Sequence, residues 1–212
     1  ALPWQKIIPA DRISPRDAAL VEPLSVGFHA VDRGQVTDSD VVMVIGCGMV
    51  GLGAVVRSVL RGATVIAADI DDEKLQLAKN LGAAYGYNTL NPKEEIPTPS
   101  VIIEAVGSVP TYQLAINTVG FTGRVVCIGY AKTDVTLPTS LFVKKELDIR
   151  GSRNATPKDF EAAIKYIEKT DQQTIDTFIS AITTLEAAPA AMQQWHEAPG
   201  KVFRILVNFT GK

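Results

Sequence analysis

Apolar residues along the chain fall into short continuous runs separated by longer amphipathic stretches. Val41-Val42-Met43-Val44-Ile45, Thr64-Val65-Ile66-Ala67-Ala68, Val101-Ile102-Ile103 and Arg124-Val125-Val126-Cys127-Ile128 are rich in β-branched residues and alternate little. Such runs predict strands buried on both faces, as in a parallel sheet covered by helices. Residues 49–61, 71–81 and 110–119 lie between them, each long enough for a crossover helix. Asp71 can cap the second of these and Gly82 can end it, after Leu75, Ala78 and Leu81 have lined one face. Pro110 suits a first helical turn.

Residues 18–31 carry Ala19, Leu20, Leu24, Val26, Phe28 and Ala30, a mostly buried helix started or interrupted near Pro23. Asp38, Ser39 and Asp40 form a polar turn, and residues 91–100, with Pro92, Pro97 and Pro99, form a loop. After Gly151 the pattern changes. Residues 157–169 place Phe160, Ala163, Ile164 and Ile167 on one side of a helix, residues 184–195 suggest another, and Val202-Phe203-Arg204-Ile205-Leu206-Val207 reads as a strand. The order of elements predicts an α/β fold, a right-handed, doubly wound parallel sheet of Rossmann type with flanking terminal elements.

Composition narrows the function classes. At 212 residues the chain can bury one sizeable core. Hydrophobic residues make up 46%, charged residues 21%, and the formal net charge of −2 offers no basic excess for a phosphate backbone, so nucleic acid is not an expected partner. The apolar runs are too short to cross a bilayer, so no membrane partner is expected either. Cys47 and Cys127 are far apart and suggest neither a disulfide framework nor a zinc knuckle. Both read as packing residues, and a reducing cytoplasm fits that usage. The sequence opens at Ala1 without a methionine, as expected of a processed, cloned or incompletely observed chain.

The chemistry concentrates in Gly46-Cys47-Gly48-Met49-Val50-Gly51, which matches GxGxxG. Gly46 permits a tight strand-to-helix turn, Gly48 lets a pyrophosphate approach the backbone, and Gly51 lets the helix pack close to the sheet. The helix N-terminus then offers N–H groups to the anion. A glycine turn alone is weak evidence, but this one follows a buried strand and opens a helix. It also precedes Asp69, at the end of the next strand, by the expected interval of about 20 residues. Asp69 can accept both hydroxyls of an adenosine ribose and would repel a 2′-phosphate, which favours NAD over NADP; the alternative is a surface or helix-capping aspartate. Ile70 adjoins it.

These residues resemble the medium-chain dehydrogenase/reductase superfamily, and within it the zinc-dependent polyol dehydrogenases of sorbitol dehydrogenase type. The resemblance rests on the segment from Ala19 through Glu22-Pro23-Leu24-Ser25 to His29-Ala30, the glycine loop, Asp69 with Lys74, Glu104-Ala105-Val106-Gly107 and Ile128-Gly129. It implies that Lys74 joins Asp69 at the ribose. It also implies that Val106, Gly107, Ile128, Gly129 and Tyr130 line the dinucleotide toward the nicotinamide, and that Arg204 pairs with the pyrophosphate. Arg204 can otherwise be a surface strand residue. The resemblance makes Glu22 a candidate zinc ligand, directly or through water, against a role in capping a helix or pairing at a domain seam. His29 is expected to be packed or hydrogen-bonded, and His196 at the surface.

The family's zinc site draws on an amino-terminal domain that supplies cysteine and histidine, and no such set precedes residue 18. The resemblance therefore implies a division into residues 1–17, a remnant of that catalytic domain, residues 18–155, the dinucleotide-binding domain, and residues 156–212, which return to the catalytic domain. It implies NAD as cofactor, zinc only in the intact enzyme, and a polyol or other alcohol as substrate. Catalytic residues are expected outside this chain. A homo-oligomer, dimer or tetramer, is expected to form through residues 130–141, which follow the fifth strand and could pair edge to edge. A free-standing NAD-sensing module and a methyltransferase share parts of the pattern and stand as alternatives.

Overall fold

The structure, a computed structural model, describes residues 3, 7–93, 95–198, 200 and 202–209. The opening stretch read as a domain remnant, and Lys201 beside Arg204, lie partly or wholly outside these. In chain order the elements are α1 (Pro15–Ala18), α2 (Val21–Arg33), β1 (Val41–Ile45), α3 (Met49–Leu60), β2 (Thr64–Asp69), α4 (Asp72–Asn80), β3 (Tyr85–Asn88) and β4 (Val101–Glu104). They continue with α5 (Val109–Thr118), β5 (Arg124–Cys127), α6 (Thr139–Lys145), β6 (Asp148–Gly151), α7 (Pro157–Lys169), α8 (Gln172–Asp176), β7 (Ala181–Thr184), α9 (Ala188–Glu197) and β8 (Ile205–Asn208).

Six strands form one parallel sheet in the order β3-β2-β1-β4-β5-β6. The order reverses direction between β1 and β4, which leaves a crevice at the carboxyl ends of those strands. Alternation along each strand feeds two separate cores. Val42, Val44, Val65, Ala67, Val101, Ile103 and Val126 face α2, α3, α4 and α7, whereas Met43, Ile45, Ile66, Ala68, Ile102 and Val125 face α5 and α6. Apolar residues on both faces explain why the central strands show no alternation in sequence.

The flanking strands differ from that pattern. β3 (Tyr-Gly-Tyr-Asn) and β6 (Asp-Ile-Arg-Gly) are the sheet's edges, contain no buried residue, and escape a reading based on apolar runs. Residues 130–138 contain no strand, and the chain then enters α6, so the edge expected at residues 130–141 is corrected to β6. The helix expected over residues 184–195 is displaced to α9, because residues 181–184 pair in parallel with β8 as a separate two-stranded sheet.

α2 begins two residues before Pro23, where a missing N–H costs nothing. It crosses α3 in backbone contact: a Cβ on Gly27 would stand 2.4 Å from the Val50 carbonyl oxygen and 2.5 Å from the Ala54 nitrogen. α7 is then pinned to α2. Asp159, almost fully buried, closes the α7 capping box with Thr156 and meets His29 Nδ1 at 3.0 Å. Ala163, Ile164 and Ile167 of α7, with Ile175 and Phe178, join the same core as α2 and α3.

Candidate dinucleotide site

The glycine loop joins β1 to α3 at the crevice. Gly46 has φ +95°, and its N–H donates to the Ala68 carbonyl at 2.8 Å. A Cβ on Gly51 would come within 1.7 Å of the Gly46 oxygen, so that glycine is required by the loop folding back on itself. Gly48 is the N-cap of α3, is exposed, and has nothing within 4 Å of where a Cβ would project. No side chain caps this helix, so its first N–H groups point into an open cradle suited to an anion.

Asp69 ends β2 beside the loop. Its Oδ2 accepts from the Cys47 N–H at 2.7 Å, and its Oδ1 accepts from the Ile70 and Asp71 N–H groups at 2.8 and 3.1 Å. The carboxylate therefore straps the loop to the end of β2. A carboxylate has about four lone-pair positions, and the three N–H groups leave about one for a further donor such as a ribose hydroxyl. Ile70 is 63% exposed at the surface, and Asp71 caps α4 through the Glu73 and Lys74 N–H groups. Lys74, half-buried in the first turn of α4, is close enough for its charge to act on Cys47. The Cys47 thiol is nevertheless pushed well above its ordinary range by burial and by the Asp69 charge.

The β4 and β5 loops complete the crevice. Val106 is exposed and Gly107 has φ +80°. A Cβ on Gly129 would stand 2.1 Å from the Gly107 nitrogen, and one on Gly46 would stand 2.5 Å from Val106 Cγ2, so the three loops touch. Ile128 is half-buried directly after β5, and Tyr130 is 89% exposed. Tyr112, at the start of α5, donates to the Gly129 carbonyl at 2.7 Å.

Sequence reasoning quoted Glu104 without giving it a role. It is fully buried at the end of β4, and its Oε1 accepts from the Val106 and Gly107 N–H groups at 3.0 and 2.9 Å. The available signal was an acid ending an apolar strand just before a glycine loop, as Asp69 ends β2.

Arg204 and Glu22, expected separately at the pyrophosphate and at zinc, form an ion pair with each other at 3.7 Å. Both side chains are substantially exposed. Arg204 lines a cavity of about 750 Å³ with Ile182, Met192, Trp195, Phe203 and Phe209. That groove lies by the β7–β8 sheet and includes no residue of the glycine loop, so volume alone does not mark the dinucleotide cradle. Among the described residues no group of three or more histidine, cysteine, aspartate or glutamate side chains could hold a metal ion. His196 is exposed on α9.

Comparisons with known proteins agree with this architecture. The sequence profile of the zinc-binding dehydrogenases matches residues 50–169, more than half of the chain. D-xylulose reductase of Scheffersomyces stipitis is 38% identical over 165 residues, 73% of this chain and 45% of the relative. L-galactonate-5-dehydrogenase of Escherichia coli is 32% identical over 171 residues, 76% of this chain and 49% of the relative. The crystal structure of an alcohol dehydrogenase from E. coli CFT073, complexed with NADH, superimposes with a TM-score of 0.83 at 25% identity, covering 95% of this chain and 61% of that one. The chain spans about half the length of the curated relatives it matches.

Proposed function

Because the chain belongs to the zinc-binding dehydrogenase family, we propose that it is the NAD(H)-binding part of an enzyme that oxidises a polyol or other secondary alcohol. The carrying observation is the uncapped start of α3 at an open Gly48, with Asp69 strapped beside it. In this reading the pyrophosphate lies on the N–H groups of Gly48, Met49 and Val50, with Gly46 and Gly51 shaping the turn. Asp69, Ile70 and Lys74 receive the adenosine ribose, and Val106, Gly107, Ile128, Gly129 and Tyr130 receive the nicotinamide end. Bound NAD supplies the hydride-accepting carbon. The protein's part is to position that cofactor and keep it dry.

Arg204 can turn to the pyrophosphate only by leaving Glu22, and their 3.7 Å pair is exposed enough to part at little cost. Zinc does not fit the described residues alone, since Glu22 has an arginine and no second donor beside it, and no step is derived through the metal. We assign Glu22 one oxygen in a site completed by the remainder of a longer protein. Zinc content of that protein with and without Glu22→Ala tests the assignment.

The same proposal takes residues 18–155 as the dinucleotide unit and residues 1–17 and 156–212 as segments that meet a catalytic domain. The exposed Ile182, Met192, Trp195 and Phe209 around the two-stranded β7–β8 sheet support it. No helix among the described residues is long and apolar enough to cross a membrane, and a cytoplasmic location is part of the proposal. So is a homo-oligomer, dimer or tetramer, through the open edge of β6 with Ile149 and Val143 exposed beside it. Light scattering tests that part. The relatives compared above are reductases and dehydrogenases, which does not favour a sensor module.

Titration of the chain with NADH and NADPH, followed by nicotinamide fluorescence, tests the central claim. NADH is expected to bind more tightly. Absence of binding, or a preference for NADPH, would overturn it.

A further inference from the structure

Two loops of the crevice meet at one buried residue. Glu104 Oε1 accepts both N–H groups of the Val106–Gly107 turn, and the Glu104 backbone carbonyl accepts both the Ile128 and Gly129 N–H groups at 2.9 and 3.0 Å. Glu104 Oε2 is buried and has no hydrogen-bond partner among the described protein atoms. It faces Gly129, where a Cβ would approach it to 2.5 Å. A buried carboxyl oxygen left unpaired is costly to stability.

We propose that Glu104 is a positioning residue that sets the two nicotinamide-facing loops against each other and so tunes the grip on the nicotinamide half of the dinucleotide. This rests on the dinucleotide reading above. The geometry supports it in three ways. Gly107, held by Oε1, is at φ +80°, and a Cβ there would stand 2.5 Å from the Tyr130 nitrogen, so the β4 turn is seated directly on the β5 loop. Tyr112 also holds the same β5 loop, by donating to the Gly129 carbonyl. The electrostatic reach of Glu104 shows in its neighbours: burial first, then the Glu104 charge, pushes the Cys127 thiol up to about 11. Burial, Cys127 and then Glu104 push the Tyr112 hydroxyl up to about 12. Among the described residues Glu104 makes no hydrogen bond to the glycine loop or to Asp69, where the adenosine half would lie, although Val106 of its turn packs beside Gly46.

That separation makes the inference testable with two ligands, NADH and ADP-ribose, which lacks the nicotinamide. The wild-type chain, Glu104→Ala, Glu104→Gln and Tyr112→Phe are titrated with each, and the NADH fluorescence shift is recorded. Glu104→Ala is expected to lose about tenfold or more in NADH affinity, equivalent to about 1.4 kcal/mol, and to lose most of the fluorescence shift, while ADP-ribose affinity stays within about twofold. Glu104→Gln keeps an acceptor for the two N–H groups and is expected to recover part of the loss. If Glu104→Ala does not fold, Tyr112→Phe, which removes only a hydroxyl, carries the same test with a smaller selective loss. Equal losses for both ligands, or no loss for either, overturn the proposal while leaving the dinucleotide reading intact. A wild-type chain that binds neither ligand overturns that reading and the proposal together.

Discussion

Asp69→Asn separates the loop-fastening role of Asp69 from the ribose-binding role proposed for it. The carboxylate accepts the Cys47 N–H on one oxygen and the Ile70 and Asp71 N–H groups on the other. A carboxamide can serve only one of these sides, and its amino group then faces an N–H donor on the other. Hydrogen bonds to a charged acceptor contribute about 1.5–3 kcal/mol each, so losing the Cys47 strap should cost about 2 kcal/mol of stability. For a chain of this size that corresponds to a fall of roughly 4–8 °C in Tm. The second role adds a binding effect. Weaker bonds to the ribose hydroxyls, costing about 2 kcal/mol, correspond to about 30-fold in NADH affinity. Loss of the charge should narrow the gap between NADH and NADPH. Thermal melting by circular dichroism and paired titrations read both effects. An unchanged Tm would refute the strap. An unchanged NADH to NADPH ratio with a lowered Tm would refute the ribose role and leave Asp69 as a loop fastener.

Gly27→Ala should destabilise the chain by about 1–3 kcal/mol or more, because the new Cβ meets the α3 backbone, which cannot rotate away. An ordinary helical Gly→Ala gains about 1 kcal/mol, so the sign of the shift in urea midpoint decides the matter. Burial alone would raise the Asp40 carboxyl, but bonds from the Thr37 N–H and the Ser100 hydroxyl, with the Arg124 charge, hold it below its ordinary 3.8. A group lowered on folding contributes stability above its unfolded value and loses it as pH falls through its folded one. Stability should therefore decline below pH 3.8, and Asp40→Asn should flatten that decline in acid melts. Both thiols should resist iodoacetamide at pH 8 in the folded chain. With Cys127 raised to about 11, only about one molecule in a thousand carries its thiolate at that pH, and rapid labelling of either cysteine without denaturant would contradict the burial described.

The four central strands and the α3, α4, α5 and α7 helices were legible because each is specified within its own segment. A strand covered on both faces must be apolar throughout, and a helix that covers it must repeat its apolar face every three or four residues. The glycine loop and Asp69 were legible for the same reason, since a turn that demands glycine and an acid that ends a strand are local requirements. β3 and β6 were not, because an edge strand is held by a single neighbour and its sequence need not be apolar.

The site residues divide along that line. Sequence alone determined that a parallel α/β sheet would present a glycine-lined helix start beside an aspartate, through spacing along one βαβ unit. Tertiary structure decided that Glu22 and Arg204, distant in sequence, share an ion pair, that Gly27 is needed where α2 crosses α3, and that Glu104 sits under the loops that follow β4 and β5. Each of those depends on backbone brought together from separate elements. Their free energy comes from contacts that no local window of sequence contains, so only the folded chain could reveal them.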